Sequence, residues 1–164
     1  MQLFRLTALF LLLWAGGLQA QTSIGFGGST HDSNQAVEVT SDRLELDQTS
    51  GSAVFTGNVL IIQGALRMSA AEVRIVYATV DGSQQIDQVI ATGDVLIASG
   101  TDAAEGQSAV YQVSTGEMVL SGEVLVTQGL AAIAGDRLVL NVNTGSGTVE
   151  GSVRTVLQSE RQSE

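Results

Sequence analysis

The side chains of this sequence that could do chemistry are few and scattered. The single histidine, His31, stands in a stretch rich in Gly, Ser, Thr and Asn, where nothing rigid would orient it as a general base. The acids Asp94, Asp102 and Glu105 lack the alternate-residue spacing of an EF-hand loop or an Asp-rich nonapeptide repeat, so a solvated face is favoured over a Ca²⁺ site. Nucleophile-elbow, H-E-x-x-H and P-loop patterns are absent from the sequence. The sequence therefore predicts a protein without a catalytic residue, a metal site or a cofactor.

The first twenty residues have the layout of a secretory signal. Arg5 precedes an apolar run of nine residues that ends at Trp14, and the small residue Ala20 stands where a signal peptidase would cleave. The run is well short of the roughly 20 residues that span a bilayer, although an uncleaved anchor is the alternative. We expect export and cleavage after Ala20.

Composition limits the partners of the exported chain. Without Arg5, six arginines face seventeen acidic residues, a net charge of −11, and there is no lysine. Such a surface repels nucleic acid and anionic membranes. The chain also lacks cysteine, so it has no disulfides and must be stabilised by core burial and hydrogen-bonded ladders.

The alternation of short apolar runs with turn-forming residues predicts one all-β domain. Residues 21–35 are polar and aperiodic and are expected to form a flexible leader, while residues 158–164 are expected to form a polar tail. Between them, over residues 36–157, short runs rich in Val, Ile, Leu and Thr alternate with Gly, Ser, Asp and Asn. That pattern is typical of a sandwich, barrel, jelly roll or solenoid.

The same region, residues 36–157, contains an internal repeat. The tetrads G-N-V-L, G-D-V-L and G-E-V-L begin at Gly57, Gly93 and Gly122, and a degenerate copy, G-S-V-R, begins at Gly151. A turn glycine stands six residues before three of these positions, whereas the unit at Gly93 has about five extra residues. Each unit is predicted to be strand, tight turn, strand. One unit cannot bury its own apolar face, so the units are expected to stack.

The register of each unit separates two faces. The residue after each tetrad glycine is polar, while residues two before and two after it are apolar, and positions two apart share a face of a strand. Leu60, Leu96 and Leu125 are exceptions on the polar outer face. The apolar inner face is predicted to include Val37, Val39, Leu44, Leu46, Phe55, Val59, Ile61, Val95, Ile97, Tyr111, Val113, Leu120, Val124, Val126, Leu138 and Leu140.

These features leave three functions open. The inner face could hold lipid chains, although an ordinary filled core explains the same pattern. A filament or scaffold of the β-solenoid type would also use repeats. A third possibility is a protein-binding module that uses unpaired strand edges, here around residues 37–46 and 153–157. Composition alone favours the filled core, whereas the scarcity of aromatic residues leaves room for a slot.

A resemblance decides between these functions. The most specific stretch is F-T-G-N-V-L-I-I-Q-G at residues 55–64, followed by A-A-E-V at residues 70–73. Through these residues the sequence resembles the LptA/OstA-like family of periplasmic lipopolysaccharide-transport bridge proteins, over about residues 36–157. Weaker matches are V-E-V-T-S-D at 37–42, V-T-Q-G at 126–129, G-D-R-L at 135–138 and R-T-V-L at 154–157.

The resemblance implies a fold and a role. The fold would be an open, slightly twisted β-jelly roll of stacked antiparallel hairpins, without catalytic activity. Its apolar interior would hold the acyl chains of lipid A as lipopolysaccharide passes from the inner to the outer membrane of a Gram-negative cell. The sixteen inner-face residues then become candidate lipid-binding positions, with Val37 and Val39 near the upstream opening and Tyr111 and Val113 further along.

The resemblance also implies partners. A single-span, LptC-like inner-membrane protein would dock near the N-terminal edge strand, and the N-terminal domain of an LptD-like outer-membrane translocon near the C-terminal one, with head-to-tail self-association as a further possibility. Arg67 and Arg74 could contact lipid phosphates at the rim of the interior. This sequence departs from the family in having no lysine and a short C-terminal tail.

Overall fold

A computed structural model describes residues 22–26 and 35–158 of the chain. These residues form strands and no helix, so no helix in this part of the chain could cross a bilayer. The strands are β1 (Thr22–Gly25), β2 (Glu38–Thr40), β3 (Arg43–Asp47), β4 (Ser52–Gln63), β5 (Leu66–Val80), β6 (Ser83–Ser99), β7 (Asp102–Gln112), β8 (Glu117–Gln128), β9 (Ala131–Asn141), β10 (Ser146–Glu150) and β11 (Arg154–Leu157).

All of these strands belong to one antiparallel sheet that does not close. Strands β4 to β9 form a meander in which each strand pairs with the next. The free side of β4 pairs with β3 along one half and with β2 along the other, and the free side of β9 pairs likewise with β10 and β11. Strand β1 adds to β10. The predicted all-β, open antiparallel fold is confirmed.

The tetrad glycines bend the sheet. In the ladders between β4 and β9, the register shifts beside Gly57, Gly93 and Gly122, and each of these glycines and its successor has positive φ. Two left-handed residues in succession bend a strand sharply. These glycines lie in the alternate strands β4, β6 and β8, and the register of β5 shifts at the same level, between Ser69 and Glu72. The sheet folds along this line into two facing layers, so Met68 and Ile75, on opposite sides of the line in β5, contribute to the same cleft.

The bend at Gly122 provides a test of this corner. Its φ is 85°, and a Cβ atom there would lie 2.8 Å from Cβ of Gln107. We expect Gly122→Ala to lower the free energy of unfolding by about 1–3 kcal/mol, measured by urea denaturation. Gly82→Ala is the matched control, because Gly82 has φ of 79° but nothing within 4 Å of the new methyl group. Equal losses in both variants would show that the close approach at the corner is unimportant.

Most of the predicted inner face belongs to one hydrophobic core. It includes the side chains around the bends and most of those from β7 to β10, among them Leu120 and Leu138, which have no exposed surface. Leu96 is exposed and Leu60 and Leu125 are half-buried on the outer face, as the alternation predicted. The extra residues of the second unit lengthen β5 and β6 to 15 and 17 residues.

One expectation needs correction. The segment 21–35 was expected to be a flexible leader, but residues 22–25 form β1 and the side chain of Phe26 is buried. The physical reason is that β10 has an unpaired edge, which a short run of Thr, Ser and Ile can extend. The predicted signal, residues 27–34 with His31, and the tail beyond Gln158 lie outside the described residues.

Candidate functional site

A cleft of about 290 Å³ separates the two layers near the N-terminal end of the sheet. Val37, Ile61, Leu66 and Met68 line it from one layer. From the other layer it is lined by Ile75, Ile86, Val89, Tyr111, Val113 and Met118. Its volume is at the lower end of the range of roughly 300–1,000 Å³ for ligand sites, which suits part of one lipid tail better than several tails.

Three glutamines supply the polar part of the lining. They are Gln35, Gln63 and Gln85, and no charged side chain among the described residues lines the cleft. Gln63 is almost buried, and its Nε2 donates a hydrogen bond of 3.0 Å to the backbone oxygen of Gln35. This bond attaches the chain that enters β2 to the end of β4. An apolar, uncharged cleft of this kind suits a hydrocarbon chain and disfavours an ion or a phosphate.

Tyr111 is buried in the lining to the same extent as Gln63. Its side chain is 9% exposed, and β7 holds it on the inner face, opposite Met118 of β8 and Val89 of β6. Burial raises the pKa of Tyr111 above its ordinary value of 10.0, because the phenolate would lose its hydration. The hydroxyl is therefore neutral at physiological pH, and the ring presents a mostly apolar surface to the cleft.

The raised pKa predicts a loss of stability in alkali. The unfolded chain releases the Tyr111 proton near pH 10, whereas the folded chain keeps it to higher pH, so stability falls as the pH rises above about 10. Because the chain has no lysine, few other groups titrate there. We expect Tyr111→Phe to flatten the dependence of the melting temperature on pH between about 9.5 and 11. An unchanged dependence would contradict this assignment.

The sixteen inner-face residues fall into four groups. Four of them line the cleft: Val37, Ile61, Tyr111 and Val113. Val39 and Phe55 are half-buried against the core next to it. Leu44 and Leu46 lie on the same face, opposite Phe55 and Ala53, but they are exposed, at 72% for Leu46, because β3 is an edge strand and nothing in the described chain covers it.

The other eight are filled core. Each is at most 1% exposed: Val59, Val95, Ile97, Leu120, Val124, Val126, Leu138 and Leu140. An acyl chain would meet them only if the layers separated, so the ordinary-core alternative describes this part of the molecule. Their lipid-binding role stays a prediction.

The two arginines lie on the opposite face from the cleft. Arg67 is exposed between the inward-facing Leu66 and Met68, and Arg74 is exposed between the buried Val73 and Ile75. Neither lines the cleft, and their contact with phosphate stays a prediction.

Sequence reasoning missed part of the lining. Leu66, Met68 and Met118 were not assigned to a face. The alternation of faces along β5 and β8, counted from neighbouring inner-face residues, would have placed them on the inner face. Their meeting in one cleft depends on the two layers folding over each other, which has no local signal.

Three matches from the comparison with known proteins bear on this chain. The model of a family described as "LptA/(LptD N-terminal domain) LPS transport protein" matches residues 38–146. An uncharacterized protein of Rhizobium meliloti (strain 1021) is 26% identical over 113 residues, which are 66% of this chain and 61% of that protein. The chain thus matches less than two thirds of that relative's length.

The third match is a solved structure. It is the crystal structure of LptH of Pseudomonas aeruginosa, described as the LptA homologous periplasmic component of the conserved lipopolysaccharide transport device. The two chains superpose with a TM-score of 0.69 at 20% identity, covering 79% of this chain and 99% of LptH. At that identity the match shows a shared fold.

Proposed function

The chain belongs to the family of LptA and LptD N-terminal-domain lipopolysaccharide-transport proteins, and on that premise we propose that it is a non-enzymatic periplasmic carrier that binds lipopolysaccharide by its acyl chains. The family assignment confirms the resemblance read from the sequence. The lipid-binding positions, the cleaved signal and the individual partners are the proposed part.

The observation that carries the proposal is the apolar, uncharged cleft between the layers. Each methylene group buried there contributes about 0.8 kcal/mol, so even part of one tail gains several kcal/mol. The charged head group would stay in solvent, since the side chains that line the cleft in the described part of the chain carry no charge. A cleft that also remains accessible from solvent encloses the tail incompletely, which keeps release possible and suits transport better than storage.

The free edges supply docking surfaces. Strand β3 lies at one end of the sheet and β11 at the other, and the side chains of both strands are exposed. Unpaired backbone groups at such edges accept a further strand. We assign β3 to an LptC-like inner-membrane partner and β11 to an LptD-like outer-membrane partner or to a second copy. The same edges are the feature that favours the alternative function, a scaffold or protein-interaction module.

Photo-crosslinking tests the carrier. A benzophenone amino acid at Ile61, which lines the cleft, is expected to label lipopolysaccharide. The same group at Leu60, on the outer face one residue away, is expected not to. Equal labelling at the two positions would rule out the cleft as the binding site. Sedimentation without lipid tests the scaffold alternative, since long fibres formed at every concentration would favour it.

A further inference from the structure

Phe26 is a core residue that does not come from the repeats. Its side chain is 6% exposed and belongs to the hydrophobic core, yet it follows β1, in the segment that precedes the first repeat. The attachment of β1 is short, because it pairs with β10 over four residues and none of the other described strands pairs with it. A large apolar side chain is thus placed in the core by a four-residue strand that lies outside the repeats.

Hydrogen bonds show that this segment crosses between the two layers. The backbone N–H of Phe26 donates to the oxygen of Gly145, in the turn between β9 and β10. The oxygen of Gly25 accepts a hydrogen bond from the side chain of Gln128, the last residue of β8. Gly25 also pairs with Ser146 of β10. Ser146 pairs with Asn141 of β9, and Asn141 pairs with Glu117, the first residue of β8, so these residues form one row across the sheet.

The length of β8 shows that the two layers approach each other at this contact. The two ends of a flat twelve-residue strand would stand about 36 Å apart. Gly25 nevertheless lies in the same row of the sheet as Glu117, at one end of β8, and accepts a hydrogen bond from Gln128, at the other end. The segment therefore joins the two layers where their outer ends approach each other, on the side away from the bends.

The internal repeat shows that the region beside Gln128 corresponds to the region of the cleft beside Gln63. Gln63 in I-I-Q-G and Gln128 in V-T-Q-G occupy the same position of their units. Each donates its amide to a backbone oxygen of the segment before the repeats, Gln35 in one case and Gly25 in the other. Beside Gln63 the layers enclose the apolar cleft, whereas beside Gln128 the buried side chain of Phe26 is added to the core.

We propose that Phe26 occupies a second acyl-chain site, at the C-terminal end of the sheet, and that a lipid tail takes its place when β1 detaches from β10. The inference rests on the proposed function. It accounts for a limitation of the cleft, whose volume suits part of one tail, whereas lipopolysaccharide carries several. The ligand class is a saturated hydrocarbon chain, since the surrounding core is aliphatic and the displaced group is an uncharged ring.

The first experiment places a fluorophore at the site. The one tryptophan of the sequence is Trp14, in the expected signal, so Phe26→Trp gives a processed protein with a single indole. Its emission should be that of a buried indole. Addition of lipopolysaccharide should shift the emission to the red and raise quenching by acrylamide at least threefold, while a benzophenone at Ile61 reports occupation of the cleft in parallel.

The outcomes separate the two proposals. Crosslinking at Ile61 with unchanged indole emission would overturn the second site and leave the carrier function standing. Absence of lipopolysaccharide crosslinking at Ile61 would count against the carrier function itself. A red shift that accompanies crosslinking supports both proposals.

A second variant removes the competing side chain. Phe26→Ala should bind lipopolysaccharide at least threefold more tightly, because the lipid no longer displaces a ring, whereas Phe26→Leu should remain close to the wild type. Thermal unfolding is measured for each variant. A Phe26→Ala protein that stays folded and binds with unchanged or lower affinity would show that Phe26 is an ordinary core residue.

Discussion

Replacement of Ile61 by aspartate is expected to weaken lipopolysaccharide binding at least tenfold without unfolding the protein. Ile61 lies on β4 and lines the cleft, with Val39 as its neighbour on β2. An acyl chain in the cleft would remove water from the new carboxylate, and an unpaired charge without water costs several kcal/mol. Tenfold corresponds to about 1.4 kcal/mol, so the estimate is conservative. In the free protein the carboxylate keeps access to water, because Ile61 is only half-buried.

The matched control is Leu60→Asp. Leu60 is also half-buried on β4, but its side chain lies on the outer face, where it pairs with Thr40 and Ser69. Titration of both variants with lipopolysaccharide, with a circular dichroism melt of each, separates loss of binding from loss of fold. Equal weakening by the two substitutions would mean that added negative charge, and not the cleft, controls affinity.

Truncation of Leu138 is expected to have the largest effect on stability. Its side chain has no exposed surface and lies opposite Leu120 on β8 and Val149 on β10. We expect Leu138→Ala to lower the free energy of unfolding by about 2–5 kcal/mol, because the substitution loses buried methyl groups and leaves a cavity. Chemical denaturation measures the change.

Leu157→Ala controls for the loss of a leucine side chain in general. Leu157 is 76% exposed on the edge strand β11, so its truncation is expected to change the free energy of unfolding by less than about 0.5 kcal/mol. A cost below about 1 kcal/mol at Leu138 would contradict a filled core there and would favour an open groove along the whole sheet. The pair of measurements therefore locates the boundary between core and cleft.

Most of the fold was accessible from local patterns. The period-2 alternation around Gly57, Gly93 and Gly122 predicted the inner face, whereas the bends at these glycines were found only in the structure. The alternation is a local signal, because side-chain direction alternates along any strand. The F-T-G-N-V segment then led to the family that the comparison confirmed.

The exposure of the inner face could not be predicted in the same way. Leu46 and Leu138 both lie on that face, yet one is 72% exposed and the other has no exposed surface. The difference arises because β3 is an edge strand, whereas β9 is paired on both sides and faces a second layer. Burial depends on what covers a strand, and alternation within the strand contains no information about that.

The sequence by itself determined that the chain is all-β and repetitive, and which residues of its repeats point inward. Only the tertiary structure decided that the inner face is a cleft at one end and a filled core at the other. It also decided that Phe26, from an aperiodic segment, completes that core. The physical reason is that strand propensity and alternation act between near neighbours, whereas the separation of two layers depends on contacts between residues far apart in the chain.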